Sequence, residues 1–181
     1  MYYQTTYPSP LGTLTIACGA GGENLVGLWL EGQKYFGGSL PVPMETRDNI
    51  PLFNSAKQWL ARYFAGEKPA LSELPLAPQG SPFQQAVWAI LRDIPYGQVC
   101  TYGDIARKLA QAQGKASVSA QAVGGAVGHN PLSILIPCHR VVGSDGSLTG
   151  YAGGITKKIQ LLELEGVDTS RFSIPIKGTA L

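Results

Sequence analysis

The sequence is poor in the residues that build disulfide frameworks, metal sites and membrane spans. Its 181 residues include three cysteines and two histidines, with neither a CxxC nor an HxxxH pattern. A disulfide framework and a structural zinc site are therefore not expected. No apolar run approaches the length of a membrane-spanning helix, and the N-terminus lacks the basic-then-apolar pattern of a secretory signal. We expect a cytoplasmic protein with no metal, no organic cofactor and no membrane partner.

Charge is also scarce, and it is unevenly placed. Charged residues make up 14% of the chain and hydrophobic residues 44%, which is typical of a folded protein. Residues 1–81 carry five Lys/Arg and six Asp/Glu, a net of −1, whereas residues 82–181 carry nine and six, a net of +3. The more basic C-terminal half is compatible with a phosphate-bearing partner, although many basic surfaces bind nothing.

The N-terminal part has the pattern of a small sheet with one helix. Three strands and a helix are predicted over residues 2–7, 12–18, 24–30 and 52–64. Residues 65–80 are rich in Pro and Gly and are the best linker candidate. The class predicted is α/β (α+β), with a small N-terminal domain of antiparallel sheet and helix over residues 1–80. A mostly helical C-terminal domain with a helix-turn-helix then occupies residues 81–181.

Two capping boxes mark helix starts in the second part. Ser81 is followed three residues later by Gln84, and Thr101 by Asp104. The second of these helices is expected to end near Leu109, with a polar connection after it.

A third helix is predicted over residues 119–128, after a connection over 111–117, so that it completes a helix-turn-helix with a long turn. Small residues dominate this helix, and of the Arg, Asn and Gln side chains that a major-groove reader displays toward bases it has only Gln121. Close helix packing explains this composition, and so does close approach to a large flat partner. We interpret the helix as one that contacts a backbone or minor groove without reading sequence.

The strongest chemical signal is the run Pro137-Cys138-His139-Arg140, which follows an apolar, strand-like stretch over residues 134–136. Thiol, imidazole and guanidinium side by side are the ingredients for a stabilised thiolate, the nucleophilic form of cysteine. Adjacent residues usually point in different directions, so this run alone favours a buried core cysteine beside two surface polar residues.

A closing helix is predicted over about residues 156–165, and it ends on a carboxylate. A negative charge is unfavourable at a helix C-terminus, so Glu165 should have a compensating partner. His139 is one candidate, and a surface lysine is the other.

These motifs together resemble those of the O6-alkylguanine-DNA alkyltransferases. The resemblance rests on Ala122-Val123-Gly124-Gly125-Ala126, Asn130-Pro131, Ile136-Pro137-Cys138-His139-Arg140-Val141 and Gly150-Tyr151-Ala152-Gly153-Gly154. It covers about residues 81–166, and the N-terminal part is only loosely similar. The resemblance implies a monomeric, suicidal DNA repair protein acting on double-stranded DNA that contains O6-alkylguanine. It would transfer the alkyl group irreversibly from O6 of guanine, and from O4 of thymine, to a cysteine after base flipping.

The resemblance also implies roles for individual residues. Cys138 would accept the alkyl group, and His139 and Glu165 would form a relay through a water molecule. Asn130 would brace the active-site turn, and Tyr102 would help to rotate the nucleotide and donate a proton to the leaving guanine. Substrate binding is implied for Tyr151, Val141, Ala152 and Ser133. DNA binding is implied for Gln121, Ala120, Ala122, Gly124, Thr101 and Arg140.

The chain departs from the family at a few positions. Family members usually carry an arginine where this chain has Gln121, and Gln lacks the charge and planar fork of that side chain. We therefore expect activity with weaker or more salt-sensitive base flipping. Ala152 stands where many members have Ser, and Ser133 and Val127 leave room for alkyl groups larger than methyl.

Three other functions fit parts of the sequence. A non-catalytic sensor of alkylated DNA shares this type of fold but lacks the cysteine, so Cys138 argues against it. A helix-turn-helix regulator would display base-reading side chains. A Cys-His-Glu hydrolase would turn over small esters or amides.

Overall fold

The computed structural model describes residues 1–175, which form two compact units. One unit comprises Met1–Gln79 together with Pro131–Leu135, and the other comprises Gly80–Asn130 and the chain from Ile136 onward. The mixed class expected from the sequence, with a sheet in the first unit and mainly helices in the second, is confirmed.

The first unit is built on a sheet with the strand order β3-β2-β1-β4. Its elements are β1 (Tyr2–Ser9), β2 (Gly12–Gly19), β3 (Leu25–Leu30), β4 (Glu45–Thr46) and the helix α1 (Pro51–Phe64). The pairs β1–β2 and β2–β3 are antiparallel, as predicted. The short strand β4 pairs in parallel with β1 in a segment that has the composition of a loop.

Buried side chains of α1 and β2 form part of the core of this unit. Trp59 and Tyr63 of α1 are buried, and Phe64 at the end of this helix is half-buried. Cys18 in β2 is completely buried and is a core residue. Burial raises the pKa of this thiol, which keeps it in the unreactive form.

The Pro- and Gly-rich segment 65–80 is not a free linker. The N–H of Leu25 in β3 donates to Pro75 O at 2.9 Å, and the N–H of Ala77 donates back to Leu25 O at 2.8 Å. The indole N–H of Trp59 donates to Ala70 O at 2.9 Å. The segment therefore runs along β3 as part of the first unit, because backbone hydrogen bonds outweigh its turn-forming composition.

Residues 131–135, from the other half of the sequence, also pair with β3, through a parallel bridge between Leu132 and Leu28. Leu28 N–H donates to Pro131 O at 2.8 Å, and Ser133 N–H donates to Leu28 O at 2.9 Å. The Ser133 hydroxyl also donates to the buried side-chain oxygen of Gln33 at 3.0 Å. The five residues are thus held within the first unit.

Within the described residues, three α-helices and two strands of the second unit precede its closing α-helix. They are α2 (Pro82–Arg92), β5 (Cys100–Thr101), α3 (Tyr102–Gln113), α4 (Ala120–Gly128) and β6 (Val141–Val142), and the closing helix is α5 (Ile155–Leu164). Both predicted capping boxes are confirmed. The Ser81 hydroxyl accepts from Gln84 N–H at 3.2 Å, and the Thr101 hydroxyl accepts from Asp104 N–H at 3.0 Å.

The helix-turn-helix consists of α3 and α4, but its turn lies later than predicted. The helix α3 continues through Gln113 because Gln and Ala at 111–113 are good helix formers. It ends at Gly114, whose φ of 63° is left-handed and favours glycine. The turn therefore spans residues 114–119 rather than 111–117. The indole of Trp88 in α2 donates to Ala126 O in α4 at 2.8 Å and ties these two helices together.

A two-stranded parallel sheet joins distant parts of the second unit. Cys100 pairs with Val141 and Thr101 pairs with Val142. This pairing places the first residue of α3, Tyr102, in the same region as the Cys138 motif, although more than thirty residues separate the two in the chain.

Within residues 1–175 no helix is both long enough and apolar enough to cross a membrane. The same residues contain no cluster of three His, Cys, Asp or Glu side chains that could hold a metal ion.

The capping box of α2 gives a direct test of this fold. We predict that Ser81→Ala lowers the free energy of unfolding by about 1 kcal/mol, because Gln84 N–H loses its acceptor. Urea denaturation measures the change. Ser55→Ala in the interior of α1 is the control and should change stability by less than about 0.5 kcal/mol. Equal effects of the two substitutions would contradict the prediction.

Candidate active site

A tight turn presents Cys138. Pro137 has φ −81° and ψ 64°, the conformation of an inverse γ-turn, and Cys138 N–H donates to Ile136 O at 2.8 Å. The side-chain amide of Asn130 donates to the same carbonyl at 2.7 Å. Asn130 therefore braces the turn directly, and a 3₁₀ turn over Cys138–Arg140 follows it.

The apolar stretch before this turn is not a strand. Ile134 has a φ of 71°, and Leu135 N–H donates to Ser133 O at 2.8 Å. A left-handed conformation is strained for a β-branched residue and costs on the order of 1–3 kcal/mol. The apolar composition reflects burial of these side chains, and the backbone turns instead of extending.

The Cys138 thiol lies in a desolvated environment. Only 5% of the residue is exposed. Burial raises the pKa of Cys138, while a hydrogen bond from Asn130 and the charge of Lys158 oppose that rise. The thiol is therefore protonated at neutral pH, so it needs a base before it can act as a nucleophile.

The imidazole of His139 is held by Glu165. Nε2–H of His139 donates to Glu165 Oε2 at 2.7 Å, and both side chains are completely buried. His139 is therefore a hydrogen-bond partner of the carboxylate at the end of α5, as predicted, although its neutral ring does not supply the compensating charge. The other ring nitrogen, Nδ1, is buried and makes no hydrogen bond to any atom of residues 1–175.

Arg140 also binds Glu165. Its Nε and Nη2 donate to the two carboxylate oxygens at 2.7 and 3.1 Å, and its Nη1 donates to Ile94 O at 2.6 Å. Gly97 N–H supplies a further hydrogen bond to Glu165 Oε1 at 3.2 Å. The guanidinium predicted to bind DNA therefore lies inside the protein, where the buried carboxylate pairs with it.

These contacts decide the protonation states. Burial raises the pKa of Glu165, but the hydrogen bonds and charges of His139 and Arg140 outweigh it and leave the pKa well below its usual range. Burial lowers the pKa of His139, and this exceeds the upward effect of Glu165. Since Arg140 already balances the carboxylate, His139 is neutral. Its proton sits on Nε2, so Nδ1 carries a free lone pair and can act as a base.

Tyr102 begins α3 and reaches the loop that follows β6. Its hydroxyl donates to Thr149 O at 3.0 Å. Burial, together with the charge of Cys138, raises its pKa to about 12, so the phenol keeps its proton at neutral pH. Gly150 has a φ of 74°, and a Cβ there would lie 2.8 Å from the Tyr102 hydroxyl oxygen. Only glycine fits at this position.

The residues predicted to bind substrate occupy different environments. Val141 is completely buried and pairs with Cys100, Tyr151 is buried, and Ala152 is half-buried in the turn after it. Ser133 is buried in the first unit, where it binds Gln33. Their contacts with a substrate stay predictions.

The predicted DNA-binding face of α4 is exposed. Ala120, Gln121 and Ala122 all lie at the surface, and a Cβ at Gly124 would be in ordinary contact with the Tyr102 ring at 3.9 Å. A Cβ at Gly125 would meet no atom within 4 Å. Close packing of helices therefore does not explain this glycine. The Thr101 hydroxyl, also predicted to bind DNA, caps α3.

Sequence reasoning missed Lys158. This residue is completely buried on α5, and its ammonium donates to Val141 O and Thr149 O. A signal was present, because Lys158 lies three residues before the buried Leu161 and four before Leu162, on the apolar face of the helix.

The Glu165 cluster makes a stability prediction. Glu165→Gln should lower the free energy of unfolding at pH 7 by about 3–5 kcal/mol, because the buried guanidinium of Arg140 loses its counter-charge. The folded-state pKa of Glu165 lies below the unfolded one, so the carboxylate stabilises the fold above about pH 4.5 and this stability is lost as pH falls. The lowered pKa of His139 acts in the same direction below about pH 6.5.

Urea denaturation from pH 7 down to about pH 3 measures both effects. The unsubstituted protein should lose stability toward pH 3 more steeply than the Glu165→Gln variant. The control is Glu163→Gln, because Glu163 is an exposed carboxylate on the same helix. If the free energy of unfolding falls as steeply toward acidic pH in Glu165→Gln as in Glu163→Gln, Glu165 is not the responsible group.

Comparison with known proteins gives one consistent result. The family model described as "6-O-methylguanine DNA methyltransferase, ribonuclease-like domain" matches residues 1–78, and "6-O-methylguanine DNA methyltransferase, DNA binding domain" matches residues 82–167.

Whole-chain relatives agree with the two models. The methylated-DNA–protein-cysteine methyltransferase of Haemophilus influenzae is 42% identical over 166 residues, which cover 91% of this chain and 87% of the relative. The protein of the same name from Methanosarcina acetivorans is 40% identical and covers 92% and 99%.

A solved structure of Mycobacterium tuberculosis OGT in complex with DNA superimposes with a TM-score of 0.75. The two chains are 40% identical, and the match covers 94% of each. With both family models and full-length relatives in agreement, the chain belongs to the 6-O-methylguanine DNA methyltransferase family.

Proposed function

We propose that this protein repairs DNA by a single irreversible transfer of a methyl or larger alkyl group from O6 of guanine, or O4 of thymine, to Cys138. The observation that carries the proposal is the buried thiol whose neighbour, the neutral His139, has one nitrogen bound to Glu165 and the other free to accept a proton. Relatives named methylated-DNA–protein-cysteine methyltransferase support the same reaction.

The thiol is activated by proton removal. His139 Nδ1 takes the Cys138 proton through one water molecule, and Glu165 stabilises the imidazolium that forms. Arg140 holds Glu165 in place, so the carboxylate stays ionised throughout. Asn130 and the charge of Lys158 favour the thiolate. Since the resting thiol is protonated, the base is required for the reaction to proceed at neutral pH.

The transfer itself is a displacement at a saturated carbon. The Cys138 sulphur forms a bond to the alkyl carbon while the bond from that carbon to guanine O6 breaks, and the electron pair passes to the base. Tyr102 gives its proton to the leaving guanine, and the proton held by His139 then returns to the phenolate. Its raised pKa keeps Tyr102 protonated until the charge on guanine develops.

The product explains why one molecule repairs one lesion. A thioether has no ionisable proton, and its cysteine thiolate is a poor leaving group if water attacks the alkyl carbon. No step in the site returns the alkyl group to solvent, so Cys138 is consumed.

DNA binding is assigned to the exposed face of α4. A buried base edge cannot reach Cys138 from within a stacked duplex, so the alkylated nucleotide must rotate out. The small residues Ala120, Ala122 and Gly124 let a sugar-phosphate backbone approach closely, and Gln121 can reach the space that the rotated base leaves. Minor-groove contacts of this kind are nearly independent of sequence, as repair of any alkylated site requires.

The two parts of the chain have different proposed roles. Residues 81–181 supply DNA binding and chemistry, with Tyr151, Val141 and Ala152 contacting the rotated base, and residues 1–80 form a supporting domain. The protein acts as a monomer, since one chain provides every proposed catalytic side chain. A cytoplasmic location suits this role wherever chromosomal DNA lies in the cytoplasm.

Mass spectrometry tests the reaction. After mixing with a duplex that carries one O6-methylguanine, the protein should gain one methyl group per molecule, located on the Cys138 peptide. Cys138→Ala should gain none, and Cys18→Ala is the matched control because Cys18 is a buried core cysteine. Tight binding to the lesion without any mass change would make the protein a damage sensor instead.

The residue at position 121 tests the base-flipping step. Gln121→Arg adds a charge and a planar donor group at an exposed site on α4, so it should raise the second-order transfer rate by roughly 3–10-fold. Rapid-quench kinetics at low and high salt measure the change. Gln111→Arg on the exposed surface of α3 adds the same charge elsewhere and is the control. Equal rates for the protein with and without Gln121→Arg would contradict the assignment.

A further inference from the structure

Lys158 is a buried cation that the reaction described above uses only as a distant charge. None of the residue is exposed, and its ammonium donates to Val141 O and, at 2.9 Å, to Thr149 O. No carboxylate within residues 1–175 forms an ion pair with it. Burying a charge without a counter-charge is unfavourable for folding. Stability alone would favour Leu or Met at this position on the apolar face of α5.

The ammonium keeps its charge despite the burial. Desolvation lowers the pKa of Lys158 to about 8, and the charge of Cys138 acts in the opposite direction. The group is therefore still mainly protonated at pH 7. Cys138 and His139 are the titratable groups whose charges it affects, and Tyr102 shares a hydrogen-bond acceptor with it.

The two carbonyls that Lys158 binds both lie next to residues of the proposed active site. Val141 follows the Cys138 turn directly, and Thr149 directly precedes Gly150. Thr149 O also accepts the Tyr102 hydroxyl at 3.0 Å. The Lys158 ammonium thus binds a carbonyl at each end of the segment 141–149. It shares one of these acceptors, Thr149 O, with Tyr102, the proposed proton donor.

We propose that Lys158 is a positioning residue of the alkyl-transfer site. It fixes the Thr149 carbonyl that orients Tyr102, and it places a positive charge near the Cys138 sulphur as the thiolate forms. This inference rests on the proposed function, since it assigns Lys158 to the same reaction. A charge fixed before the reaction needs no reorganisation when the thiolate develops, which is how preorganised sites lower a barrier.

The test compares Lys158→Met with Lys158→Arg and Lys157→Met. The methionine variant keeps the length of the side chain but removes its charge and donors, and the arginine variant keeps both. Lys157→Met removes the neighbouring, partly exposed charge and is the control. Three quantities are measured for each protein. They are the second-order methyl transfer rate from an O6-methylguanine duplex, the Kd for an unmodified duplex, and the pH midpoint of Cys138 alkylation by iodoacetamide.

We expect Lys158→Met to lower the transfer rate by roughly 10–100-fold, as displacement of reacting groups does. The alkylation midpoint should rise by about one pH unit, because an opposite charge near the thiolate is lost. The Kd should stay within about twofold, since Lys158 is buried away from phosphates. Lys158→Arg should keep the original midpoint and recover most of the rate.

Other outcomes separate this inference from the proposed function. Equal rates and midpoints in Lys158→Met and Lys157→Met would overturn the role of Lys158 and leave alkyl transfer intact. If Lys158→Met does not fold, a folded Lys158→Arg protein with a shifted midpoint would overturn it as well. Failure of the unsubstituted protein to transfer methyl would instead reject the proposed function itself.

Discussion

The carboxylate of Glu165 is the group on which the rest of the site depends. It lies at the end of α5, completely buried, and it accepts hydrogen bonds from His139, Arg140 and Gly97. A buried carboxylate is tolerable only with such partners, so the fold must bring them to it. Because Arg140 balances its charge, His139 stays neutral and is available as a base. A single ion pair thus connects stability with the capacity for proton transfer.

Main-chain carbonyls are the second organising element. Ile136 O accepts Asn130 below the cysteine turn, and Thr149 O accepts both Tyr102 and Lys158. Carbonyls have no side-chain freedom to lose, so in each of these contacts only the donor side chain loses rotamer entropy. The short β5–β6 pairing keeps the two regions together. The reactive groups therefore rest on backbone geometry as well as on each other.

Charge is used sparingly in this arrangement. The site contains the buried ionic groups Glu165, Arg140 and Lys158, in a chain of which only 14% is charged. The exposed face of α4 is nearly free of charge. Affinity for DNA must then come from contacts outside that face and from close approach, while the buried charges act on the chemistry.

Local signals accounted for much of the fold. Capping boxes at Ser81 and Thr101 marked helix starts correctly, because a cap is decided by residues three positions apart. Hydrophobic periodicity found the antiparallel strands. It failed over residues 134–136, where an apolar stretch forms a left-handed turn. Burial explains apolar composition equally well in a strand and in a buried turn, so composition could not separate the two.

The candidate site shows the same limit. Cys138, His139 and the need of Glu165 for a partner follow from the sequence, because adjacency and helix-end electrostatics are local properties. The inward turn of Arg140 and the burial of Lys158 do not. Which direction a guanidinium points, and whether a lysine on an apolar face is buried, depend on segments far apart in the chain. Only the tertiary structure decides these two features, because packing removes water from a charged group, and a charge without water is unfavourable unless another group pairs with it.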